Sequence, residues 1–400
     1  MENSQIVGPI RVSENGRYFV DQDGRPFFWL GDTQWELFRS FTFAEAETIL
    51  EDRREKGFNA IQVMITGVGN GTKPDVADRK PWVNDDPATP NEEYFKNVDA
   101  VLKMGLQKGL IFVLGVYHQT QVSYITTANA RTYAKWIALR YKDTPNIIWT
   151  MYPKAEQEFV PVMRELAAGL QEGDGGAHII SVHPDPSPAS SGFIHSESWL
   201  ACNMIQTWAY YDKIYSMVTE DYNRIPAKPV VMAEGAYEGG PEYGFPVTPL
   251  MVRKQAYWSY LSGGFHSYGH NDNWRLPSRW RESLDAPGAA QMRVLKDIFT
   301  ARQWWKLIPD QSIFAEGSTD TMLRIAARSE SGDWCMIYFG ESATASINMS
   351  KAISGNSAAA SWIDPRTGAQ AKIGEFANTG IRSFSTPDGW EDAVLILESI

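Results

Sequence analysis

The chain has 400 residues, 43% of them hydrophobic and 21% charged, enough apolar material for one large core and a smaller companion domain. Its formal net charge of −11, with no basic stripe to offset it, disfavours nucleic acid as a partner and leaves neutral small molecules or sugars open. No run approaches the length of a membrane-spanning helix, and residues 1–10 lack a charged segment followed by an apolar one. The expectation is a protein that stays off membranes, cytoplasmic as the chain stands and periplasmic or secreted if a leader has been trimmed. Cys202 and Cys335 fall in separate predicted strands far apart in sequence and read as buried free thiols.

In chain order, Arg17-Tyr18-Phe19-Val20 and the Asp23-Gly24 turn predict a short hairpin. Apolar runs then alternate with amphipathic helices over roughly the first three hundred residues, at 27–30, 60–65, 111–116, 147–151, 179–182, 203–206, 230–233 and 265–268. Eight strands with helices between them predict a closed (β/α)8 TIM barrel over residues 1–306. Thr42-Phe43-Ala44-Glu45 is a capping box that opens a helix, and Gly57 stops it. A second helix, 91–109, carries Phe95, Val98, Leu102 and Leu106 on one face, as packing on a barrel requires. Further helices are expected at 130–142, 157–171, 211–222, 249–262 and 289–302. The segments 66–90, 183–200, 235–247 and 269–288 are long and rich in Gly, Pro, Trp and Tyr, the makings of a pocket on one rim. From residue 307 the pattern changes to short alternating strands at 321–328, 334–339, 344–349, 358–363, 381–385 and 393–397, a C-terminal antiparallel β-sandwich over 307–400.

Glu234 closes Pro229-Val230-Val231-Met232-Ala233-Glu234-Gly235 and so puts a carboxylate at the end of the seventh strand, where barrel enzymes carry catalytic groups. Fifteen tryptophans, among them Trp35, Trp208 and Trp274 near strand ends and loops, suggest platforms for the flat faces of sugars. The set His118-Gln119, His183, His195-Ser196-Glu197, Gln206, Tyr237 and His270-Asn271-Asp272-Asn273-Trp274 would supply hydrogen bonds to sugar hydroxyls. Each histidine stands on a different strand or loop with no His-x-x-x-His spacing, so no metal is expected, nor any cofactor.

Several stretches carry a family resemblance: Asn15-Gly16-Arg17-Tyr18, Pro26-Phe27-Phe28-Trp29-Leu30-Gly31-Asp32-Thr33 with Trp35-Glu36-Leu37, and Gly57-Phe58-Asn59-Ala60-Ile61-Gln62. Pro145-Asn146-Ile147-Ile148-Trp149, Asn203-Met204-Ile205-Gln206, Pro229 to Glu234 and Trp362-Ile363-Asp364-Pro365-Arg366-Thr367-Gly368 extend it over nearly the whole chain. It resembles the apiosidase-like glycoside hydrolases, in which a barrel precedes a β-domain that carries a collagen-binding label. The resemblance implies a retaining layout, with the nucleophile after strand seven, matched by Glu234, and the acid/base after strand four. It also implies that Asp32 binds a sugar hydroxyl or holds the rim. Collagen binding is not inherited from the label, and the expected partner is an oligo- or polysaccharide, with oligomeric state left open.

The chain departs from the family after strand four. Where such enzymes read Trp-x-x-Gly-Gly-Asp, it reads Trp149-Thr150-Met151-Tyr152-Pro153-Lys154, a lysine in place of the acid. An ammonium beside carboxylates stays charged and does not replace a carboxylic acid poised to give a proton. Asp185, Glu156, Glu197 and Asp272 are the candidates to restore it, with Asp185 favoured because it leaves a strand end directly beside His183, and Glu156 next. Two other readings remain open: a carbohydrate-binding protein on a disabled scaffold, and a lyase with Tyr152 or Lys154 as base.

Overall fold

The computed structural model describes residues 8–275, 279–316 and 324–400. Most of residues 1–10, and the start of the strand expected at 321–328, lie outside the described residues.

The chain begins with a small antiparallel sheet of β1 (Arg11–Val12), β2 (Phe19–Val20) and β3 (Pro26–Phe27). The first barrel strand follows it as β4 (Leu30–Thr33), three residues later than expected, because Pro26 and Phe27 are already paired with Val20 and Phe19. The others are β5 (Ala60–Met64), β6 (Ile111–His118), β7 (Ile147–Tyr152), β8 (Ile180–Val182), β9 (Asn203–Gln206), β10 (Val230–Glu234) and β11 (Phe265–Tyr268). They form one parallel sheet in the order β8-β7-β6-β5-β4-β11-β10-β9. The expectation of a TIM barrel holds.

Between β8 and β9 the closure is irregular. At the N-terminal end of the strands, Ile180 bridges Leu200 and Ala201 N donates to Ile180 O at 2.9 Å. Higher up, the segment after β8 fills the gap, with Ser190 N on Met204 O at 3.0 Å and Ser190 Oγ taking Met204 N at 2.9 Å.

The helices between strands are α1 (Phe43–Glu55), α2 (Glu92–Gln107), α3 (Ala130–Tyr141), α4 (Val160–Asp174), the short α5 (Ser191–Ile194), α6 (Ile214–Tyr222), α7 (Pro249–Leu261), the short α8 (Trp280–Leu284) and α9 (Pro287–Thr300). The capping box forms as read: Thr42 Oγ1 takes Glu45 N at 3.3 Å and Glu45 Oε2 takes Thr42 N at 2.9 Å.

The C-terminal region has a six-stranded antiparallel sheet, ordered β12-β13-β14-β19-β16-β17, and a two-stranded sheet of β15 and β18. The strands are β12 (Leu307–Pro309), β13 (Arg324–Ser329), β14 (Trp334–Phe339), β15 (Thr344–Asn348), β16 (Ser357–Ile363), β17 (Gln370–Ala377), β18 (Ile381–Ser385) and β19 (Ala393–Ser399). Ile337, Phe339 and Leu395 of the larger sheet share a core with Ile347 and Phe384 of the smaller one, a sandwich packing. β17 is an edge strand missed by periodicity because it is largely exposed and has little apolar content to alternate. Cys202 and Cys335 are both free and buried.

Candidate active site

Glu234 gets its place from an irregularity in the β9–β10 ladder. Met232 pairs with Ile205, and the next pair is Glu234 with Gln206, so Ala233 is the extra residue. The Ala233 carbonyl is caught by Gln62 Nε2 at 2.9 Å, and the Glu234 carbonyl by Thr207 N at 2.9 Å. The backbone is therefore held on both sides of the bulge while the side chain stands free of the ladder.

Around that side chain sit groups from several strands and their loops. His183, just past β8, brings Nε2 within 3.4 Å of Glu234 Oε2. The Tyr152 hydroxyl, at the end of β7, donates to Gln206 Oε1 at 2.9 Å, and Trp35 Nε1, after β4, donates to the Tyr237 hydroxyl at 3.0 Å. The Trp35 ring meets His183 edge-on at 5.2 Å, and Tyr152 lies 4.4 Å from His183 and 5.2 Å from His118. Trp208 packs 5.4 Å from Tyr243 with a left-handed backbone, φ 49°, a strained conformation for a bulky residue that tends to mark functional positions.

Burial raises the Glu234 carboxyl from its ordinary 4.5 to about 8, although the Tyr237 hydroxyl and the Gln206 amide pull the other way. Burial also lowers His183 and His118 to about 4, leaving both neutral near pH 7. The Tyr152 and Tyr237 phenols are pushed well above their usual range by burial and by the nearby Glu234. Among the described residues no group of three or more His, Cys, Asp or Glu is placed to hold a metal ion.

The remaining candidates divide by position. Asp185, half-buried, takes Ala155 N on Oδ1 at 2.6 Å, and its charge reaches the Tyr152 phenol. Gln119 starts the short turn after His118. On the β11 loop, Asp272 N donates to His270 Nδ1 at 3.1 Å and Asn271 Nδ2 to Asp272 Oδ1 at 3.1 Å. Trp274 carries Arg275 over its ring at 4.6 Å, and Arg275 pairs with Glu242 at 2.9 Å. Buried Asn273 has both side-chain polar atoms without a protein partner.

Five candidates lie elsewhere. Asp32 is fully buried, accepts from Gln34 Nε2 at 2.7 Å and meets Arg53 of α1 at 3.6 Å, in the strand–helix layer. His195 and Glu197 come after the segment that doubles back beside β9. His195 Nδ1 contacts Asn203 Oδ1 at 3.1 Å at the start of β9, and the Glu197 carbonyl takes Lys228 Nζ at 3.1 Å just before β10, both toward the end of the barrel opposite Glu234, while the Glu197 carboxylate pairs with Arg164 of α4 at 2.6 Å. Lys154 and Glu156 are exposed on the loop after β7. A cleft of about 1060 Å³ also lies at the opposite end, lined by Gly57, Asn59, Lys108 and Lys296, and holds none of the candidates.

Glu242, Tyr243 and Arg275 are the site residues the sequence reading missed. Glu242 and Tyr243 belong to the long loop 235–247, whose length and aromatics were the available signal.

The profile of the "Apiosidase-like, catalytic domain" matches residues 13–306. The chain belongs to the apiosidase-like family. A second profile, "Putative collagen-binding domain of a collagenase", matches residues 308–398. A structure described as "Glycoside hydrolase" is 28% identical over 98% of this chain and 97% of its own, with TM-score 0.90. A glycoside hydrolase family 5 structure from Bacteroides vulgatus ATCC 8482 is 27% identical over 98% and 94%, with TM-score 0.89. A further structure from that organism, described as "a putative glycoside hydrolase", is 16% identical over 100% of this chain and 83% of its own, with TM-score 0.79, and shares the fold. No curated protein matches. This apiosidase-like chain is a glycoside hydrolase by family and architecture, and among its described residues no helix is long and apolar enough to cross a membrane.

Proposed function

We propose that the protein cleaves a glycosidic bond with retention, Glu234 attacking the anomeric carbon and Asp185 giving the leaving oxygen its proton. The observation that carries this reading is the buried carboxyl at the end of β10, walled by Trp35, Tyr152 and His183 and, among the described residues, in no salt bridge with an arginine or lysine, Arg275 reaching it only through its field. Buried Asp392, by contrast, ends on Arg253.

In this mechanism Glu234 loses its proton before it attacks, and the Tyr237 hydroxyl and Gln206 amide favour the anion. The C–O bond to the leaving group breaks as the Glu234 oxygen bonds to carbon, and Asp185 transfers its proton to the departing oxygen. Water, deprotonated by Asp185, then releases the sugar from Glu234. The aromatic rings exclude solvent while positive charge builds on the sugar, and their faces suit that charge.

Asp185 is preferred because it lies just past β8, two residues after His183, and its charge reaches the Tyr152 phenol that bonds Gln206. Glu242, the carboxylate whose charge reaches Glu234, is engaged by Arg275. An elimination with Tyr152 as base is disfavoured, since a phenol raised well above its usual range holds its proton.

The test is product stereochemistry by NMR on an aryl glycoside, together with Glu234→Gln and Asp185→Asn. The same anomer as the substrate, with turnover by Asp185→Asn confined to activated leaving groups and restored by azide, is expected. An inverted product, or near-normal hydrolysis by Glu234→Gln, would refute the assignment.

A further inference from the structure

The two residues after Glu234 are held from behind by one side chain. Gln255 of α7, buried to 2% exposure, takes the Ala236 amide on Oε1 at 2.9 Å and gives Nε2 to the Ala236 carbonyl at 3.1 Å. Gly235 runs so close past that amide that a Cβ there would stand 2.3 Å from Gln255 Oε1, so this backbone and this side chain fit only as a pair. One residue on, Tyr237 bonds the Trp35 indole inside the site. The clamp thus acts on the stretch that begins with Glu234 and ends with Tyr237.

The helix that carries Gln255 is itself anchored on a different face. Arg253 and Tyr257, four residues apart and therefore neighbours on α7, turn to the β-domain. Arg253 grips Asp392 with Nε at 2.8 Å and Nη2 at 2.7 Å, and Tyr257 stacks on Tyr338 of β14 at 4.3 Å. Tyr338 in turn donates its hydroxyl to Asp392 at 2.8 Å.

From this we infer that Gln255 is a positioning residue for hydrolysis: it fixes the turn after Glu234 so that the carboxyl and the Tyr237 hydroxyl keep their mutual geometry, on a helix held in register by the β-domain. The inference rests on the reading of Glu234 as the essential carboxyl. Gln255 touches neither substrate nor reacting atoms.

The experiment compares Gln255→Leu, Gln255→Glu and Glu234→Gln with the parent in the full chain, measuring kcat and KM on an aryl glycoside from pH 5 to 9, with thermal unfolding alongside. Gln255→Leu leaves both Ala236 backbone groups unpaired, and its kcat should fall about 10- to 100-fold while KM moves less than about threefold. Gln255→Glu reproduces the acceptor-and-donor pair only while protonated. Its rate relative to the parent should therefore be highest at pH 5 and decline as pH rises, a rescue that a packing role would not produce.

If Glu234→Gln is inactive but Gln255→Leu keeps the parent's kcat, or Gln255→Glu shows a pH-independent ratio, the positioning role is overturned and the hydrolase reading stands. If Gln255→Leu does not fold, the Gln255→Glu ratio decides alone. Should Glu234→Gln remain active, the underlying reading falls and takes this inference with it.

Discussion

His183 Nε2 and Glu234 Oε2 face each other at 3.4 Å, and both groups are pushed toward their uncharged forms, the imidazole down to about 4 and the carboxyl up to about 8. Between those values each group is neutral, so the two do not form an ion pair near pH 7. The imidazole walls the site and lends it no cation.

A nucleophile must be ionised, so turnover should climb with pH through a midpoint near 8. A kcat/KM profile on an activated aryl glycoside, whose leaving group needs no proton, isolates this limb. A profile that falls through the same midpoint would instead make Glu234 the proton donor. The His183 ring, followed by NMR, should take up no proton of its own between pH 6 and 8.

The same shift has a consequence for stability, with a definite sign. A carboxyl at 4.5 when unfolded and about 8 when folded binds more protons in the native state between those values, so the fold loses stability as pH rises from 4.5 to 8. Glu234→Gln lacks the group. Its melting temperature should match that of the parent at pH 4 and exceed it at pH 9, the gap reaching a few kcal/mol.

Lys154 and Glu156 lie exposed on the loop after β7, so Lys154→Ala and Glu156→Gln should each leave kcat within about threefold of the parent. Steady-state kinetics on a poor leaving group checks this. A collapse on losing Lys154 would revive the lyase reading.

Arg253 is 1% exposed and meets Asp392, itself fully withdrawn from water, so Arg253→Ala should cost about 3–5 kcal/mol by stranding a buried carboxylate. The double change Arg253→Met with Asp392→Leu should recover most of that in denaturant unfolding.

Much of the barrel is legible in the sequence because strands buried on both faces read as continuous apolar runs, and 203–206 and 265–268 coincide with β9 and β11 to the residue. Glu234 is legible for the same reason, as a charged residue ending such a run. His195 and Glu197 fall away from Glu234 for a geometric reason: distance along a loop does not reveal that the chain has doubled back to the other end of the barrel. Asp32 misleads because a carboxylate inside a strand can point to either layer, and only its contact with Arg53 decides. Glu242 with Arg275, and Gln255 with Ala236, join separate stretches of chain, so no local pattern announces them.

The gap between β8 and β9 is closed by one bridge and a strip of loop, where the other neighbouring strands share a ladder. Unzipping there breaks the fewest backbone hydrogen bonds, so deuterium should enter the wall first at Ser190 and Met204. His183 and Asp185 head that same strip, which ties breathing of the wall to the reach of two side chains at the rim.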